Sequence, residues 1–112
     1  MTDSEFIVLT NRVFDAIDAA LEAAQGADVD WSENDGVFTI ECDDGSKRIV
    51  NRNVVNREIW VAAKAGGFHY RAERGRWRDT RSDEELGAAL ARLLRTQGGV
   101  ALAPLALPAT PD

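Results

Sequence analysis

Between residues 29 and 80 the chain is cut at short intervals by turn sequences: Asn34-Asp35-Gly36, Asp43-Asp44-Gly45, Ala65-Gly66-Gly67 and Arg74-Gly75. The runs they separate, 29–33, 37–42, 47–52, 58–63, 68–72 and 76–80, are short and largely alternate apolar with polar residues. Alternation of period two is the mark of a strand with one buried face, and Asp-Gly between such runs favours a tight hairpin. A parallel neighbour needs a crossover of a dozen residues or more, for which these turns leave no room. The spacing therefore predicts an antiparallel meander of about six strands.

Two stretches of helical period bracket the meander. Thr2-Asp3-Ser4-Glu5 fits a capping box, and Phe6, Leu9, Val13, Ile17, Ala20, Leu21 and Ala24 then fall on one stripe. This predicts a helix over 3–25, with Gly26 as a left-handed stop. Ser82-Asp83-Glu84-Glu85 reads as a second capping box ahead of Leu86, Ala89, Leu90, Leu93 and Leu94, which predicts a helix over 83–96. The segment 97–112 is apolar but carries Pro104, Pro108 and Pro111, so it is expected to be extended. Its Val100, Leu102 and Leu105 are expected to pack in the groove between the helices. The expected fold class is α+β: a two-layer sandwich in a single domain over 1–112. Its sheet, over 28–80, is flanked on one face by the N- and C-terminal helices. The other face is left open.

Charge is distributed unevenly within the net −6. Residues 1–46 hold twelve carboxylates and one arginine, whereas residues 47–112 hold seven carboxylates and twelve lysines or arginines. Such a domain has an acidic and a basic region, which suits electrostatic docking. One cysteine, Cys42, excludes an internal disulfide and a four-thiolate site, and its alternation with Phe38 and Ile40 predicts a buried, inert thiol. No basic segment precedes an apolar run at the start of the sequence, and the stretch 100–107 is broken by Pro104. Neither a targeting segment nor a membrane span is expected, and the protein is expected to be cytoplasmic and monomeric.

Asp15, Asp18 and Glu22 share one helix face opposite the apolar stripe, and Asp28 and Asp30 follow at once, with Glu33 and Asp35 beyond. The plain account is a solvated face. Against it, no lysine or arginine is interleaved to relieve the repulsion between like charges. Carboxylates in this number suit a hard cation such as Fe(II), Fe(III), Mn(II) or Ca(II), bound weakly, with little selectivity and with sensitivity to salt, or a basic partner. In the strand over 58–63, Ile59 and Val61 alternate with Trp60. If the former face the helices, Trp60 lies on the open face with Asn51, His69, Arg71, Arg76 and Arg78, a composition fit for docking a protein. A register shift of one residue would put Trp60 in the core instead. Stacking of nucleic acid on Trp60 is disfavoured by the net negative charge, so no nucleic-acid partner is expected.

Ile49-Val50-Asn51-Arg52, followed by Glu58-Ile59-Trp60-Val61-Ala62, resembles the central signature of the frataxin family. The opening Asp3-Ser4-Glu5-Phe6, Asp28-Val29-Asp30, Asp35-Gly36-Val37, Asp44-Gly45-Ser46-Lys47 and Gly66-Gly67-Phe68-His69-Tyr70 look like its bacterial branch, and the likeness runs over about residues 3–96. The resemblance implies two helices on an antiparallel sheet, weak iron binding (Fe2+ or Fe3+) on the acidic ridge, and no haem or cluster of the chain's own. It also implies regulation of iron–sulfur cluster assembly through contact with a cysteine desulfurase and its scaffold protein. Asp15, Asp18, Glu22, Asp28 and Asp30 fall in the family's acidic region, and Asn51 and Trp60 match its partner-contacting residues. A ferroxidase or iron store is the alternative, for which the inward carboxylate–histidine constellation is lacking. The chain departs from the family at Ala19, Ala23, Gln25 and Ala27, where relatives often carry acids. It also has Asn53-Val54-Val55 where the family usually has Gln-x-Pro, and a longer proline-rich tail.

Overall fold

The computed structural model describes residues 1–24 and 28–111. Helix α1 covers Asp3–Ala23 and opens on the expected capping box: Thr2 Oγ1 accepts from Glu5 N, and Glu5 Oε1 accepts from Thr2 N. These two bonds satisfy amides that a helix start otherwise leaves unpaired. The stop expected at Gly26 lies outside the described residues. Strands β1 (Val29–Asn34), β2 (Val37–Cys42), β3 (Lys47–Asn53), β4 (Glu58–Ala63), β5 (Gly66–Glu73) and β6 (Arg76–Asp79) follow. They pair in sequence order, every pair antiparallel. Asp35-Gly36 and Arg74-Gly75 turn with positive φ at both residues, as two-residue hairpins demand. The turn expected at Ala65-Gly66-Gly67 instead sits at Lys64-Ala65, so β5 starts two residues early.

Alternation along the strands selects one face for the core. Phe38, Ile40, Cys42, Val50, Ile59, Val61, Tyr70 and Trp77 are buried against Phe6, Val13, Phe14, Ile17 and Leu21 of α1 and against the buried face of the second helix. Phe6 meets the Trp77 ring edge-on at 5.9 Å, and Phe14 lies 5.7 Å from Phe38. Arg48 shares this inner face and is 0% exposed. Its guanidinium donates to Leu93 O at 3.0 Å and to Ser46 Oγ at 2.9 Å. A buried cation is tolerated there because these two oxygens replace water as acceptors for its guanidinium.

The second helix, α2, covers Leu86–Gly98, three residues later than its expected start. Ser82 is not its cap. Residues 80–85 instead fold back along β6: Asp83 has φ +66°, Glu84 O accepts from Asp79 N, and Glu85 bridges to Arg78. Ser82 Oγ serves Glu84 N within that turn. Glu85 becomes the N-cap, its carboxylate accepting from Gly87 N and Ala88 N. No described helix is long and apolar enough to cross a membrane.

From Gly99, in the left-handed conformation, the tail runs back along α2 without regular structure. Leu105 N donates to Gly87 O, and Thr110 N donates to Gly75 O. Val100 and Leu105 are buried, while Leu102 and Leu107 pack on the core as half-buried residues. Gly87 is required by this contact: a Cβ there would meet Leu105 O at 2.1 Å. Gly87→Ala should therefore lower stability by about 1–3 kcal/mol, as overpacking does. Urea unfolding should show a lower midpoint with an unchanged slope.

Candidate functional site

Asp15, Asp18 and Glu22 are exposed on α1, as their spacing requires. None of Asp15, Asp18, Glu22, Asp28 and Asp30 is paired with a lysine or arginine among the described residues. Asp18 is held: its Oδ1 accepts from Trp31 Nε1 at 2.6 Å, which ties α1 to the edge strand β1. Trp31 and Val29 pair with the inward residues Ile40 and Cys42, so the alternating Asp30 points to the opposite, open face, beside Glu41. Asp28 and Asp30 share a recess of about 340 Å3 with Glu41 and Asp43. The acidic region is thus no single ridge. It wraps the β1 edge, with Asp15, Asp18 and Glu22 on the helix side and Asp28, Asp30, Glu41 and Asp43 on the sheet side.

Among the described residues, no three carboxylate, histidine or cysteine side chains converge as ligands of one ion would. Of the acids around the β1 edge, Glu41 alone pairs with a cation among the described residues, lying 3.5 Å from Lys47 Nζ. Such a surface attracts cations by its field rather than by a preformed cage, and its attraction falls as salt screens it.

On the open face, Asn51, Trp60 and His69 stand in one cross-strand row over β3, β4 and β5, with Arg71 beside them. Trp60 is half-buried and outward, between the buried Ile59 and Val61. The His69 ring stacks on it at 4.3 Å and 9°. Next to the pair lies a small apolar recess of about 200 Å3, floored by Ile49, Ala62 and Gly67.

Glu58, which sequence reasoning passed over, organises this row. Its side chain is 6% exposed, and it accepts from Trp60 Nε1 at 2.8 Å and from Arg71 Nη2 at 2.6 Å, with His69 Nδ1 at 3.8 Å. Burial alone pushes its carboxyl up. The hydrogen bonds from Trp60 and Arg71, aided by the charges of Arg71 and His69, outweigh that and hold it below its ordinary value of 4.5. The signal was available, since Glu58 stands two residues before Trp60 in a strand and so shares its face.

A family model described as a frataxin-like domain matches residues 1–100. The iron-sulfur cluster assembly protein CyaY of Cupriavidus metallidurans is 45% identical over 105 residues, covering 91% of this chain and 95% of that protein. The protein of the same name from Burkholderia mallei is 42% identical, covering 92% and 97%. Among solved structures, the frataxin of Psychromonas ingrahamii superposes with a TM-score of 0.87 at 32% identity, covering 95% of this chain and all of the other.

A carboxyl whose folded value is lowered stabilises the fold above its unfolded value, and that contribution is lost as pH falls through the folded one. The native chain should therefore lose stability as pH drops below about 4.5, and Glu58→Gln should flatten that decline. Glu58→Ala, which leaves Trp60 Nε1 and Arg71 without their acceptor, should cost about 1–2 kcal/mol at neutral pH. Urea midpoints from pH 3 to 7 measure both.

Proposed function

The chain belongs to the frataxin family, and from that premise we propose that it acts in iron–sulfur cluster assembly as a non-catalytic, iron-responsive regulator. Its acidic end binds ferrous or ferric iron weakly as cargo and docks on a basic patch of a cysteine desulfurase. Its open sheet face meets the scaffold protein on which clusters are built. The observation that carries this reading is the set of five carboxylates around the β1 edge, Asp15, Asp18, Glu22, Asp28 and Asp30, none of which pairs with a lysine or arginine among the described residues. Holding like charges together has a cost that an external cation or a cationic surface relieves. The names of the Cupriavidus and Burkholderia relatives supply the pathway.

The sheet face suits a different partner surface. Trp60, stacked on His69 and hydrogen-bonded to Glu58, is a rigid aromatic anchor rather than a mobile side chain. Asn51 and Arg71 flank it with donors, and anchors of this kind dominate the energy of protein interfaces. Bound iron would lower the charge at the acidic end and so weaken or redirect the desulfurase contact, which makes the docking responsive to iron.

Asp18→Lys with Glu22→Lys should abolish iron-induced line broadening of the α1 and β1 amides in NMR spectra. It should also weaken binding to a cysteine desulfurase by tenfold or more, a figure of the order expected when like charges are brought together at an interface. Binding unchanged by the double substitution refutes the acidic end as the docking surface. Ferrous iron oxidised faster with the protein than in buffer would favour a ferroxidase instead.

A further inference from the structure

The two edges of the sheet are treated differently by the chain itself. The β6 edge is covered: Glu84 O accepts from Asp79 N, Glu85 bridges to Arg78, and just before the strand Thr110 N donates to Gly75 O. Among the described residues, no hydrogen bond from another part of the chain reaches the backbone of β1 on its outer side.

Which groups stand open follows from the hairpin. Asp35-Gly36 is a two-residue turn with Asn34 opposite Val37, and in such a hairpin that flanking pair is hydrogen-bonded, with bonded and non-bonded pairs alternating beyond it. Asn34, Ser32 and Asp30 therefore direct their N–H and C=O groups to β2. Val29, Trp31 and Glu33 direct theirs outward. Trp31 is fixed by its indole bond to Asp18, so the middle of this open edge is rigid.

We infer that the β1 edge accepts an extended, basic segment of a partner protein as a seventh strand, paired to the backbone of Val29, Trp31 and Glu33. The charge complementarity comes from both sides of the edge: Asp18 on the helix side, and Asp28 and Asp30 with Glu41 on the sheet side. A strand laid there alternates its side chains between these two sides, so lysines or arginines at either set of positions meet carboxylates. A second copy of this chain is a poor occupant. Pairing β1 with β1 brings two acidic edges together, each carrying Asp18, Asp28, Asp30 and Glu33, and the basic β6 edge is already covered. The inference rests on the docking proposed above for the acidic end, and adds that backbone pairing, not charge alone, holds the partner.

The test is amide hydrogen exchange on the 15N-labelled full chain, titrated with a short peptide of alternating lysine and valine. A control peptide has the same charge but proline at alternate positions, so that it cannot pair. Strand addition requires the amides of Val29, Trp31 and Glu33 to exchange about tenfold more slowly, or slower still, with the first peptide only. Equal shifts at Asp28 and Asp30 with both peptides, without protection of those three amides, overturn strand addition and leave the acidic docking surface standing. No response to either peptide overturns both. Protection of the three amides in the protein alone, lost on dilution, assigns the edge to a second copy and overturns the basic-strand occupant.

Discussion

Burial of only one face of the sheet beneath α1 and α2 governs the rest of the molecule, because each strand must then sort its residues by parity. Phe38, Ile40 and Cys42 go inward on β2, Ile59 and Val61 on β4, and Tyr70 on β5. Their neighbours in sequence are thereby committed to the open face: Thr39 and Glu41, Trp60, His69 and Arg71. A slip of one residue in any strand would exchange the two sets, so the core fixes the functional surface as firmly as it fixes the fold. Arg48 tests the rule. Parity sends it inward, and it is tolerated there because Leu93 O and Ser46 Oγ accept from its guanidinium.

The same parity explains why the acidic region divides. Sequence spacing along α1 is enough to put Asp15, Asp18 and Glu22 on one face. It does not reveal that Asp30 turns away from the helix layer, because that depends on Trp31 being the inward residue of an edge strand. Trp31 is half-buried, and its ring leaves the core far enough for the indole N–H to reach Asp18. The edge strand thus gathers negative charge from two layers. The arginines of β5, β6 and the turn between them stand at the other end of the sheet, several of them paired locally, as Arg71 is with Glu58 and Arg74 with Asp83.

Local signals were legible where one physical cause acted alone. The α1 capping box, the Asp35-Gly36 turn, the antiparallel order and the outward Trp60 all follow from short-range chemistry and alternation. The start of α2 did not, because Ser82 had two competing roles and the turn packed along β6 took precedence over the capping box. Bonds between side chains far apart in sequence were invisible as well: Arg48 to Leu93, Arg52 to Asn11, Trp31 to Asp18. Glu58 was the avoidable omission. Its place two residues before Trp60 made a shared face certain, but a carboxylate next to a core residue reads as an ordinary surface charge until Arg71 is known to lie across from it.

The tail carries a consequence for the order in which the molecule is completed. Pro111 closes a shallow apolar hollow with Ser4, Glu5, Val8 and Leu9, so the tail reaches back to α1. Contacts this distant in sequence close the longest loops, and the entropy of closure delays them until nearer contacts are in place. Every helix and strand is made from residues up to 98, so these nearer contacts form before the tail docks. Its arrival over Gly87 then acts as a latch on a domain whose acidic edge and open face have already formed.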